Sequence, residues 1–121
     1  MSGNTQLFEE LKADHEGTDP GTTKKIRADR DRAVIPIVSG ASLETGSLAD
    51  PEIMGQELTL CFKTDGGGNR VITADTAINE TGNNTLTFSD AGEMIALRAI
   101  QDGTSIVWRV MANDGVALST V

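Results

Sequence analysis

Glu57-Leu58-Thr59-Leu60-Cys61-Phe62-Lys63-Thr64, followed by Asp65-Gly66-Gly67-Gly68-Asn69 and Arg70-Val71-Ile72-Thr73-Ala74, is the stretch that decides the fold class. Leu58, Leu60 and Phe62 alternate with polar or small neighbours, which is the period of a strand with one buried face. Five turn-forming residues then separate this strand from a second one. The segment lacks the Lys-Ser/Thr ending of a phosphate-binding loop and the ligand spacing of a calcium hand, so it reads as a glycine-rich hairpin turn.

The same rhythm continues toward the C-terminus. Asn79-Glu80-Thr81-Gly82-Asn83-Asn84 is a second cluster of residues suited to turns. Residues 85–88 form a short strand carrying Leu86 and Phe88. Residues 93–100 and 105–111 flank Gln101-Asp102-Gly103-Thr104, in which Asp-Gly is a strong hairpin signal, and Ile106, Trp108 and Val110 share one face. Asn113-Asp114-Gly115 turns into a last apolar piece at 116–118. Closely spaced strands without interposed helices predict a mainly β chain, a small antiparallel sandwich or barrel-like module over 55–121. Its core or self-association residues are Leu58, Leu60, Phe62, Leu86, Phe88, Ile106, Trp108 and Val110. Trp108 reads as core or subunit interface rather than as a ligand platform.

Toward the N-terminus the pattern loosens. Ala33-Val34-Ile35-Pro36-Ile37-Val38 is strongly apolar, and Pro36 places it at a sheet edge or in an extended crossing. Residues 34–54 read as an extended connection, and residues 1–33 as a charged arm. Within the arm, 5–16 has the pattern of a short helix with Leu7, Phe8 and Leu11 on one side, either a frayed terminus or a segment that orders on a partner. Residues 24–32 alternate basic and acidic groups around Ile26, which fits a solvated tether or a strip against an acidic or mixed surface.

The formal net charge is −8. Six basic and seven acidic residues lie in 1–33, against four and eleven in the remainder, so cationic density is concentrated in the arm. An acidic module opposes nucleic-acid binding, which draws on Lys and Arg neutralising phosphate. The single cysteine, Cys61, excludes an intrachain disulfide, and the single histidine, His15, excludes a histidine-cluster metal site. Carboxylates such as Asp90 and Glu93 sit at turns, where they are solvated or capping. No catalytic constellation, cofactor or metal is expected, nor a membrane partner. The first residues lack a basic stretch followed by an apolar one, so synthesis in a cytosol without a cleaved secretory signal is expected.

Gly55-Gln56-Glu57-Leu58-Thr59-Leu60, Thr64-Asp65-Gly66-Gly67-Gly68, Leu86-Thr87-Phe88-Ser89-Asp90-Ala91-Gly92-Glu93, Val107-Trp108-Arg109-Val110 and Asn113-Asp114-Gly115-Val116 together resemble a module of tailed-bacteriophage virion proteins, over about residues 55–119. The resemblance is to capsid decoration (cement) proteins, head fibres and tail fibres. It implies a structural protein of the capsid exterior, usually a homotrimer, with the major capsid protein as partner. In that setting the arm residues Leu7, Phe8, Leu11, Lys24, Lys25, Arg27, Arg30 and Arg32 would dock on the shell, and deletion of 1–33 would leave a folded trimer unable to decorate. A receptor- or glycan-binding fibre module is the alternative.

Overall fold

The computed structural model describes residues 19–28 and 30–121. Eight strands and no helix occur among them: β1 (Arg32–Val38), β2 (Glu44–Leu48), β3 (Glu57–Thr64), β4 (Arg70–Ala74), β5 (Thr85–Phe88), β6 (Met94–Asp102), β7 (Ser105–Asp114) and β8 (Ala117–Ser119). They form two four-stranded sheets, in the orders β1-β3-β6-β7 and β2-β4-β5-β8, whose inner faces meet in one core, as in a small sandwich. The mainly β reading therefore holds.

Alternation sets the orientation of each strand. In β1, Ala33, Ile35 and Ile37 point inward while Arg32, Val34 and Val38 stay exposed; in β3, Leu58, Leu60 and Phe62 are the buried set. Pro36 is accommodated because β1 is an edge strand, paired only with β3. Phe62 and Phe88 come from different sheets and meet at 5.8 Å between ring centroids with planes tilted by 56°. Trp108, 1% exposed, spans the core from β7, and its indole N–H donates to the Ala49 carbonyl (2.9 Å) just beyond β2. Burial of each such side chain contributes roughly 1.5–3 kcal/mol.

Two findings depart from the sequence reading. The segment 34–54 is no mere connection: it supplies β1 to one sheet and β2 to the other, each in parallel pairing, beside the antiparallel pairs β3–β6, β4–β5, β5–β8 and β6–β7. And residues 65–69 are no hairpin turn, because β3 and β4 lie in different sheets. The chain crosses there from one sheet to the other with residues 39–43 running alongside. Ser39 N–H donates to Thr64 O, Gly66 N–H to Ser39 O, Gly68 N–H to Gly40 O and Glu44 N–H to Asn69 O, at 2.9 to 3.1 Å. A Cβ on Gly66 would meet Ser39 O at 2.5 Å, and one on Gly68 would run into the Ser42 carbonyl. The glycines are there so that two backbones can cross in contact.

The hairpin expected at Asp102-Gly103 does form. Asp102 pairs with Ser105, leaving Gly103 and Thr104 as a two-residue loop, with Gly103 at φ +64° and Thr104 outside the positive-φ region, the pattern of a type II′ turn.

Candidate docking surfaces

The N-terminal segment enters the described fold at a buried ion pair. Arg70 points from β4 to the sandwich edge with no solvent exposure, and its guanidinium grips Asp19 in bidentate fashion, Nη1 to Oδ2 at 2.6 Å and Nη2 to Oδ1 at 2.9 Å. The same two nitrogens donate to the carbonyls of Val38 and Gly21. Asp19 also accepts from the N–H groups of Gly21 (2.9 Å) and Val38 (3.3 Å). Burial pushes the Asp19 carboxyl upward, yet the hydrogen bond from Arg70, those from the backbone and the guanidinium charge outweigh it, so its pKa lies below the ordinary 3.8.

From this anchor the strip 24–32 runs along the module instead of leaving it. Ile26 is fully buried, bridges Leu48 in parallel register and exchanges backbone hydrogen bonds with Ser47 and Ala49; Ala28 is buried too. The boundary drawn at residue 33 therefore falls inside the fold. Period-two alternation in Lys25-Ile26-Arg27-Ala28 was the signal for this. The cations face outward: Lys24, Arg27, Arg30 and Arg32 are exposed, and Lys25 pairs with Asp75 at 2.7 Å.

Beside the strip, the loop before β3 is framed by a buried glutamine. Gln56 Nε2 donates to the carbonyls of Ala28 (2.8 Å) and Arg30 (2.9 Å), and its Oε1 accepts from the N–H groups of Glu52 (2.9 Å) and Ile53 (3.2 Å). Gly55 N–H donates to Ala99 O, and Ala99 N–H to Gln56 O. Every hydrogen-bonding site of the amide is used, so Ile53 and Met54, 57% and 61% exposed, are presented on a fixed frame. A groove beside them is lined by Asp31, Arg32, Gln56 and Glu57.

A second exposed apolar surface is the outer face of the β1-β3-β6-β7 sheet. Register aligns Val34, Thr59, Ala96 and Ala112 in one row and Pro36, Cys61 and Met94 in the next, with Val38 beyond. Val34, Val38 and Met94 are exposed, and a shallow hollow lies between Met94, Ala96 and Ala112. Arg32, Glu57 and Arg98 form the row at one end, and Lys63 stands at the other.

Among the residues named from sequence, Leu58, Leu60, Phe62, Leu86, Phe88 and Trp108 are buried in the core of one chain, and Ile106 and Val110 pack partly buried against it. The first six side chains are thus occupied within the chain. Leu7, Phe8 and Leu11 lie outside the described residues. Sequence reading missed Asp19, Gln56, Ile53, Met54 and the Val34–Met94 face as surface-shaping residues. No group of three or more His, Cys, Asp or Glu suited to a metal occurs among the described residues. Comparison with protein-family models, curated proteins and solved structures finds no match for this chain.

Proposed function

We propose that this chain is a non-enzymatic virion protein that binds the outside of a phage capsid and stabilises it as a trimeric decoration protein. The observation that carries the reading is the cationic strip ending in Arg32 beside the fixed, exposed pair Ile53–Met54. Apolar groups on a rigid frame, edged by charges, form a surface for a protein partner. A capsid subunit with an apolar recess and acidic rim would take it. Three copies acting together would gain avidity that one weak contact lacks.

The glycan-binding alternative draws on aromatic platforms, and the aromatic residues among those described, Phe62, Phe88 and Trp108, are all buried. Decoration is tested by mixing undecorated heads with the full chain and with Ile53→Asp/Met54→Asp. Co-sedimentation of the parent chain and loss of it in the folded variant support the reading. Failure of the parent chain to bind heads, or undiminished binding by the variant, overturns it.

A further inference from the structure

The outer face of the β1-β3-β6-β7 sheet combines an apolar centre with Arg32 and Arg98, in register on either side of Glu57, at one end and Lys63 at the other, in a chain whose formal charge is −8. Among the described residues Arg32, Lys63 and Arg98 have no salt-bridge partner. Contiguous exposed apolar surface favours an occupant that covers it. The chain itself carries a segment of complementary chemistry: before Asp19 lie Leu7, Phe8 and Leu11 together with Glu9, Glu10, Asp14 and Glu16, against the single Lys12.

Its attachment point is in the right place. Asp19 accepts the hydrogen bond of Val38 N–H, which sets residue 19 beside the last residue of β1. Leu11 stands eight residues before Asp19, a reach of up to about 27 Å. Four strands span only about 14 Å across a sheet.

We propose that the outer face of the β1-β3-β6-β7 sheet is the docking surface for residues 7–16 of the same chain, with Leu7, Phe8 and Leu11 on the Val34, Cys61, Met94 and Ala96 centre and the acidic groups toward Arg32, Lys63 and Arg98. Tethering supplies the segment at high effective concentration, so modest apolar burial suffices. The inference is independent of the capsid reading and is tested on the purified protein alone.

Cys61, the only cysteine and half-buried at the centre of this face, is the reporter. Its alkylation by iodoacetamide is followed in the full chain and in full-chain Leu7→Asp/Phe8→Asp, whose substitutions leave the described core untouched. The expected result is roughly tenfold faster labelling in the variant, the factor that about 1.4 kcal/mol of docking provides. Full-chain Arg32→Glu/Arg98→Glu should label faster as well, and a synthetic peptide of residues 1–18 added to the Leu7→Asp/Phe8→Asp protein should restore slow labelling. Equal rates in parent and both variants overturn the proposal. A rate in the parent that falls with protein concentration and ignores both variants also overturns it, assigning the face to a second copy instead.

Discussion

Arg70 is the one charged side chain that the described fold buries completely, and Asp19 is its sole ionic partner. Removal of one member leaves the other charge uncompensated, so Asp19→Ala is expected to lower unfolding free energy by roughly 3–5 kcal/mol, read from urea denaturation. Replacement of both by apolar or neutral groups, as in Asp19→Asn/Arg70→Met, should cost less than the sum of the two singles. The sign with pH follows from the lowered Asp19 pKa. A carboxyl that ionises more readily when folded contributes stability in full above the ordinary value of 3.8, and that contribution is lost as pH falls through the lower, folded pKa. Stability should therefore decline below about pH 4, and Asp19→Asn should flatten that part of the curve. Trp108→Phe leaves the Ala49 carbonyl without its indole donor in the core, a loss of roughly 1–3 kcal/mol.

Elements differ in how openly the sequence announces them. β3, β4 and β5 were legible to the residue: Leu58, Leu60 and Phe62 alternate with polar or small neighbours in β3, Leu86 and Phe88 mark β5, and β-branched residues bounded by turn clusters mark β4, although its inward side includes Arg70. β2 was hidden: its inward side includes Gly46, packed against the Arg70 guanidinium, so only Leu48 carries the apolar signal. Sheet membership was hidden as well. Alternation says that a strand has a buried face but not which sheet it joins, which is why residues 65–69 read as a hairpin turn when they form a crossing. That crossing gives its own test. Gly68→Ala drives a methyl group into the Ser42 backbone, and a loss of roughly 1–3 kcal/mol is expected in denaturant unfolding. Gly82, with no atom near its absent Cβ, suffers only the strain of its positive φ and serves as the milder control. The docking surfaces were scarcely legible at all, since Gln56, Ile53 and Met54 acquire meaning only when the strip 24–32 is folded beside them.

For the whole molecule, the described module takes in Asp19, Ile26 and Ala28, well before residue 33. Deletion of 1–18 should preserve the thermal transition of the module, followed by the fluorescence of buried Trp108. Deletion of 1–33 removes Asp19, Ile26, Ala28 and Ala33 and should lower the midpoint markedly or abolish the transition. Equal midpoints for the two truncations would show that the strip contributes nothing to the core. The crossing of paired chains has a mechanical corollary. Tension applied through residues 1–18 arrives at Asp19, where Arg70 on β4 and the backbone of Val38 on β1 share it between both sheets. The covalent path continues to the Ile26–Leu48 bridge and its two backbone hydrogen bonds, so a pull from this end strains the ionic clasp before it reaches the strands.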